Sequence, residues 1–150
     1  MIAFDTNVLI YAEDAGDEGG RHARAATLLS RLANTGALIP VQVLSEFVNV
    51  CRNKALVPLD LAVGKVGNYR LLFDTPQTEV ADVQKAALVA GRYKLQFFDA
   101  LIVIVSARAG ASLLLSEDMQ DGLEIEELRI INPFNPANHD AIERLLQTNP

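Results

Sequence analysis

The chain has 150 residues, of which 50% are hydrophobic and 21% charged, and its formal net charge is −6 at pH 7. This length and composition are typical of one globular domain spanning residues 1–150, and they exclude a disordered chain. The negative charge argues against a broad phosphate-binding surface, because such surfaces depend on lysine and arginine.

Three further features predict a cytoplasmic protein. Cys51 is the single cysteine, so it has no partner for an internal disulfide. The N-terminus lacks the basic and then apolar pattern of a signal peptide. The longest strongly apolar run, residues 100–105, is far shorter than the roughly 20 residues that a membrane-spanning helix needs.

Short apolar strands and amphipathic helices follow one another in the first half of the sequence. The predicted elements are a strand over residues 2–4, a helix over 6–13, a loop over 14–20, a helix over 21–33, a strand over 37–39 and a helix after Pro40. Aspartate and glycine are concentrated in the loop. Asn34-Thr35-Gly36 is typical of a left-handed helix cap.

The second half continues with helices and then strands. The predicted elements are a helix from Pro58 to about Leu72, a helix from a Thr78 cap to Ala90, a helix over 97–109, strands over 112–115 and 130–131, and a last helix from Asn138 or Asp140 to Leu146. Gly64 and Gly67 predict a split or bend in the first of these helices. Parallel strands need long crossovers, so this alternation predicts a parallel sheet with helices on both faces.

Acidic residues lie at corresponding places in this predicted architecture. Asp5, Asp118 and Asp121 follow strands, Glu46 lies on the helix after the second strand, and Asp99 lies in the first turn of the apolar helix. Open α/β sheets bind ligands at the carboxyl ends of their strands. The sequence therefore predicts a concave acidic site at that edge.

Such a cluster of acidic side chains is costly without a cation, and some of the carboxylates would otherwise have to take up protons. Two like charges about 4 Å apart repel by about 4 kcal/mol at an effective dielectric constant near 20. Oxygen ligands without histidine or cysteine favour Mg²⁺ or Mn²⁺ over zinc. Two such ions about 3.5–4 Å apart can activate water and stabilise the leaving oxygen of a phosphodiester. The predicted chemistry is phosphodiester hydrolysis.

Each acidic residue also has a purely structural interpretation. Asp5 and Asp99 are suited to cap helices. Glu46 shares a polar stripe with Gln42 and Asn49, which is typical of a solvated face. Residues 116–122 can be read as an acidic loop and nothing more. The joint arrangement at one edge of the sheet favours a site, because independent capping residues need not share that edge.

Four segments, "FDTN", "SEFVNV", "FFDALIV" and "LLLSEDMQDG", resemble the acidic landmarks of PIN-domain nucleases, in the same order and at suitable spacing. The resemblance covers nearly the whole chain and is strongest to the small VapC-like toxins of prokaryotic toxin–antitoxin pairs. It implies a three-layer α/β/α sandwich with a central parallel β-sheet.

The resemblance also implies which acidic residues are catalytic. Asp5, Glu46 and Asp99 are expected to be metal-binding catalytic carboxylates. The fourth is expected to be Asp118 or Asp121, and we favour Asp118 as the more buried of the two while keeping Asp121 as a catalytic candidate.

Neighbouring residues receive supporting roles from the same resemblance. Thr6, Asn7 and Ser116 are expected to orient the carboxylates and their waters. Glu117 is expected to point to solvent. Arg92 and Lys94 are expected to contact RNA phosphates.

The activity implied is Mg²⁺- or Mn²⁺-dependent cleavage of RNA by a homodimeric toxin that pairs with a VapB-like antitoxin. The alternative is a catalytically silent PIN-like module that binds RNA or protein. Two other classes fit less well. Asn7 stands where a phosphoaspartyl hydrolase needs a second aspartate, and no lysine follows Leu115 as a receiver domain requires.

Overall fold

The computed structural model describes residues 1–148. The strands are β1 (Ile2–Phe4), β2 (Leu113–Leu115), β3 (Glu124–Ile125) and β4 (Leu128–Ile131). The helices are α1 (Thr6–Glu13), α2 (Arg21–Leu32), α3 (Val41–Lys54), α4 (Leu59–Leu72), α5 (Val80–Tyr93), α6 (Phe97–Arg108) and α7 (His139–Thr148), with a 3₁₀ turn over Pro136–Asn138.

The strands form one sheet in the order β1-β2-β4-β3. β1, β2 and β4 are parallel, as predicted. Every residue of β1 and β2 is buried. Because side chains of a strand alternate between the two faces, helices cover both faces, which confirms the three-layer sandwich.

The sheet is mixed, so the prediction of an entirely parallel sheet needs one correction. β3 pairs antiparallel with β4. The turn between them consists of Glu126 and Glu127, with φ values of 52° and 64°. Two-residue hairpin turns of this kind usually contain asparagine or glycine, so two glutamates carry no sequence signal for a hairpin.

The predicted strand over residues 37–39 is reduced to a single point of pairing. Leu38 forms isolated parallel bridges with Ala3 on one side and Asp74 on the other. The backbone N–H of Phe4 donates to the Leu38 carbonyl at 3.0 Å, and the Leu38 N–H donates to the Ile2 carbonyl at 2.8 Å. The segment therefore extends the sheet beside β1 without forming a regular strand.

The middle of α4 and both ends of α5 differ from the sequence prediction. α4 continues through Gly64 and Gly67, and a Cβ at either position would meet no atom within 4 Å beyond its chain neighbours and the backbone of its own helix. α5 begins after Glu79 instead of Thr78, because Glu79 and Asp82 form a reciprocal capping box. α5 also continues past Gly91 to Tyr93.

α6 is the buried helix that its uniformly apolar sequence predicted. Residues 100–106 are all buried, and α5 packs along the helix. Asp99 lies in the first turn of α6, just before the buried stretch. No helix within residues 1–148 has both the length and the apolar character to cross a membrane.

Candidate active site

The register of the parallel strands brings the residues that follow them side by side. Phe4 pairs with Leu115, and Leu115 pairs with Ile131. The next residue after β1 is Asp5, whose N–H donates to the Leu115 carbonyl at 3.0 Å. Ser116 follows β2, and its N–H donates to the Ile131 carbonyl at 3.1 Å. Pairing of β1 with β2 therefore places Asp5 next to Ser116.

Asp5 is a buried carboxylate, 5% exposed, and it is held at both oxygens. Oδ1 accepts from the Thr6 N–H at 2.7 Å, and Oδ2 accepts from Ser116 Oγ at 2.6 Å. Burial raises the pKa of Asp5 to about 6, the two hydrogen bonds oppose that rise, and the negative charges of Asp99 and Glu46 add to it. Asp5 thus caps α1, as its structural interpretation predicted, and also lies among other carboxylates.

Glu46 faces Asp5 from α3 and does not lie on a solvated stripe. Its Oε2 accepts from Thr6 Oγ1 at 2.7 Å, and its Oε1 accepts from Gln42 Nε2 at 2.8 Å. Gln42 Nε2 also donates to the Phe98 carbonyl at 3.0 Å, which joins α3 to the first turn of α6. Gln42 was not predicted as a site residue, although its position one helical turn before Glu46 was a usable signal.

Asp99 completes the group from the first turn of α6. It is partly buried, and its carboxylate accepts no hydrogen bond from any residue in the described range 1–148. Burial raises the pKa of Asp99, and the charges of Glu46 and Asp118 raise it further. We call Asp5, Glu46, Asp99 and Asp118 the acidic cluster, because their charges act on one another.

Hydrogen bonding brings Asp118 to this cluster. Asn7 Nδ2, on α1, donates to Asp118 Oδ2 at 2.6 Å. Asp118 and Asp121 are both exposed, so burial gives no ground for preferring Asp118. The contacts of the two side chains distinguish them instead.

Asp121 is engaged in a different part of the fold. Its oxygens accept from the Asn132 N–H at 3.0 Å, Asn135 Nδ2 at 3.0 Å and Asn138 Nδ2 at 2.8 Å. Partial burial acts in the opposite direction, but these hydrogen bonds hold the pKa of Asp121 below its ordinary value. Asp121 therefore connects the loop after β2 to the segment after β4, and these contacts give no support to its predicted catalytic role.

Glu117 does not point to solvent, so that prediction is wrong. Tyr11 Oη donates to Glu117 Oε2 at 2.6 Å, and Arg21 Nη1 donates to Glu117 Oε1 at 3.4 Å. The Arg21 guanidinium also lies over the Tyr11 ring, 4.4 Å from its centroid. Asn7 and Tyr11 are one turn apart on α1, so this helix holds the consecutive residues Glu117 and Asp118.

Lys94 and Arg92, the two residues predicted to contact RNA, have different surroundings. Lys94 lines a cavity together with Asp99 and Asp118. Arg92 lies over the Tyr93 ring, 5.4 Å from its centroid. Neither cation forms an ion pair within residues 1–148.

The acidic cluster offers only oxygen atoms as possible metal ligands, but these oxygens are not gathered at one point. In residues 1–148 no group of three or more acidic, histidine or cysteine side chains has the spacing to hold a metal ion. The oxygens of Asp5, Glu46 and Asp118 face hydroxyl and amide donors instead. Binding a cation in the cluster would require these side chains to turn towards one another.

Comparison with known proteins assigns the family. The PIN domain family model matches residues 2–120, and the chain belongs to this family. The match includes all four residues of the acidic cluster and ends before Asp121. A search of the curated proteins found no match.

Two solved structures have a similar fold. One is VapC20 of Mycobacterium tuberculosis, described as a toxin that cleaves the sarcin–ricin loop, with a TM-score of 0.66 and 19% identity over 79% of this chain and 90% of that chain. The other is a toxin–antitoxin complex from Klebsiella pneumoniae, with a TM-score of 0.66 and 16% identity over 89% of this chain and 98% of that chain.

The raised pKa of Asp5 predicts a pH-dependent stability. The pKa is about 6 in the folded chain and 3.8 ordinarily. Because the folded chain binds this proton more tightly, the stabilisation is fully present below pH 3.8 and is lost as the pH rises to about 6. The free energy of unfolding should fall by about 3 kcal/mol over this range, because each unit of difference between the two pKa values corresponds to about 1.4 kcal/mol.

Asp5→Asn removes this ionisation while preserving the shape of the side chain. Without metal, we expect the free energy of unfolding of the variant to rise relative to that of the wild type as the pH is raised from about 4 to about 7.5. The rise should be up to about 3 kcal/mol. Urea unfolding of both proteins at both pH values measures this difference, and the comparison cancels contributions from other titrating groups. An equal difference at the two pH values would contradict the prediction.

Asp118→Asn and Asp121→Asn should have different effects on the free energy of unfolding at neutral pH without metal. Asp121→Asn weakens the interactions with its three donors and should cost about 1 kcal/mol, since solvent screens this exposed group. Asp118→Asn relieves repulsion within the acidic cluster and should leave stability unchanged or raised. Thermal unfolding of the pair tests this, and a larger loss for Asp118→Asn would show that the two positions have been assigned the wrong way round.

Proposed function

We propose that this chain is a divalent-metal-dependent endoribonuclease, and that it is the toxin of a toxin–antitoxin pair. Asp99 carries the proposal. Its carboxylate is partly buried and faces the charges of Glu46 and Asp118 without a hydrogen-bond donor among residues 1–148. This arrangement is unfavourable for folding, and a bound cation would relieve it.

The donor chemistry of the acidic cluster fits Mg²⁺ or Mn²⁺. Asp5, Glu46, Asp99 and Asp118 would hold the metal, because each carboxylate oxygen that accepts one hydrogen bond retains a further lone pair. Such a cation would supply water of lowered pKa and would offset negative charge at the phosphorus.

Three neighbouring side chains would position the acidic groups. Ser116 and the Thr6 backbone hold the Asp5 carboxylate on both sides, and the Thr6 hydroxyl holds Glu46. Asn7 holds Asp118. All of these donors belong to α1 or to the residue that follows β2, so these elements would keep the carboxylates at the site once the side chains have turned towards a cation.

RNA as the substrate and an antitoxin as the partner are supported by the structural neighbours. One neighbour is described as cleaving the sarcin–ricin loop, and the other was solved as a toxin–antitoxin complex. We propose a VapB-like antitoxin and a homodimer for this chain. Contacts with protein are supported by large apolar side chains exposed on α4, namely Leu59, Leu61, Val63 and Leu71.

Asp99→Asn should abolish both metal binding and catalysis while leaving the fold intact. Millimolar Mg²⁺ or Mn²⁺ should raise the melting temperature of the wild type, because the cation binds the folded chain only. The same variant should show neither this rise nor cleavage of total RNA. Asp60→Asn, at an exposed aspartate in the first turn of α4, is the matched control and should behave as the wild type.

The combined results separate the two functions under consideration. A rise in melting temperature without cleavage would favour the catalytically silent module. Cleavage that persists in Asp99→Asn would remove this residue from the mechanism. An unchanged melting temperature in both metals would contradict the metal site.

Expression in a bacterial host tests the proposed toxin activity. Wild-type chain should arrest growth, and coexpression of the small open reading frame adjacent to its gene should relieve the arrest. Asp99→Asn should be harmless when expressed to the same level. Growth rate and immunoblotting provide the measurement, and arrest by both proteins would show that toxicity does not arise from catalysis.

A further inference from the structure

A cavity of about 390 Å³ adjoins the acidic cluster and has no role in the chemistry proposed above. We call it the side pocket, and the residues relevant here are Tyr93, Lys94, Gln96, Asp99, Asp118 and Gln120. Its volume is within the range of about 300–1,000 Å³ that is usual for ligand pockets. Because Asp99 and Asp118 belong to both, a group in the side pocket lies next to whatever the acidic cluster binds.

The walls of the side pocket come from two connections in the fold. On one side α5 ends at Tyr93, and Lys94 turns the chain with a φ of 56°. Gln96 then precedes the first residue of α6, one turn before Asp99. On the other side, Gln120 lies two residues after Asp118.

Unused hydrogen-bonding groups line this pocket. Gln96 and Gln120 are exposed, and their side-chain amides bond to nothing in residues 1–148. Each amide offers both a donor and an acceptor. Tyr93 is partly buried and presents an aromatic ring, one side of which faces the Arg92 guanidinium.

The charges around the pocket restrict what it can bind. Asp99 and Asp118 disfavour a free anion at their end, and the two polar amides disfavour a purely apolar group. A planar, uncharged group with donors and acceptors on its edge satisfies both restrictions, and such groups stack on aromatic rings. Lys94, which forms no ion pair in the described chain, suits a phosphate attached to that group.

We propose that the side pocket binds one unpaired nucleobase of the RNA, from a nucleotide adjacent to the phosphate that is cleaved. The base stacks on Tyr93, and the amides of Gln96 and Gln120 bond to its edge. This inference rests on the proposed ribonuclease function. It makes the substrate single-stranded at that position, because a base in the pocket cannot be paired at the same time.

Binding of the four nucleoside 5′-monophosphates tests the pocket without requiring cleavage. Titration of wild-type chain with each nucleotide in Mg²⁺, followed by NMR, gives dissociation constants for comparison with ribose 5-phosphate, which lacks the base. We expect at least one nucleotide to bind about tenfold more tightly than ribose 5-phosphate, as one stacked base contributes.

A double variant, Gln96→Ala with Gln120→Ala, should lose part of this advantage and bind the four nucleotides more nearly alike, because the bonds to the base edge are gone and only the stacking on Tyr93 remains. Gln84→Ala, at an exposed glutamine on α5 that does not line the pocket, is the matched control and should retain it. Tyr93→Leu removes the ring on which the base stacks, and this variant should independently lose the advantage of nucleotides over ribose 5-phosphate. Both pocket variants replace partly or fully exposed residues, and circular dichroism verifies that they fold.

The outcomes separate this inference from the proposed function. Equal binding of nucleotides and ribose 5-phosphate, absence of detectable nucleotide binding, or full retention by the double variant would overturn the subsite. If RNA is nevertheless cleaved, the ribonuclease stands without the subsite. Base-dependent binding that the double variant weakens, combined with no cleavage of any RNA, would support the subsite and contradict the catalysis.

Discussion

The pairing of β1 with β2 is the constraint on which the acidic cluster depends. These strands are about 110 residues apart in sequence, yet they are adjacent and in register, Phe4 beside Leu115. This register brings Asp5 to Ser116, whose hydroxyl then holds one Asp5 oxygen at 2.6 Å. A shift of one residue would turn every side chain of the strand to the opposite face, so the buried strands and the position of Asp5 are determined together.

α1 converts this register into an organised site. Asp5 caps the helix, the Thr6 hydroxyl bonds to Glu46, and Asn7 bonds to Asp118. Tyr11, one turn later, holds Glu117. The first turns of a single helix thus contact acidic side chains from both α3 and the loop after β2, and a change in the direction of α1 would affect all of these contacts.

The acidic cluster is electrostatically unfavourable as it stands. Burial and neighbouring charges raise the pKa values of Asp5 and Asp99, whereas hydrogen-bond donors lower that of Asp121. A carboxylate that stabilises a loop is normally surrounded by donors, as Asp121 is. Asp99 has the opposite environment, with neighbouring charges and no donor among the described residues. Such an environment lowers the stability of the fold and is typical of residues at functional sites.

Much of the fold could be predicted from local pattern. Helical periodicity located α1 and α2, and the uniformly apolar sequence of α6 predicted its burial, because these signals arise within a few turns of chain. The β3–β4 hairpin was missed, since Glu126 and Glu127 adopt left-handed conformations that glutamate does not favour. α4 is not split at Gly64 and Gly67, because local helix propensity is weak compared with the rest of the helix and its packing.

For the site, the sequence by itself determined which acidic residues follow strands or begin helices, and so which candidates had to be considered. Only the tertiary structure distinguished Asp118, beside Asn7, from Asp121, which three asparagines surround. It also showed Glu117 bound to Tyr11 and Gln42 bridging α3 to α6. The physical reason is that a side-chain hydrogen bond depends on distances of about 3 Å between segments far apart in sequence, which local periodicity does not specify.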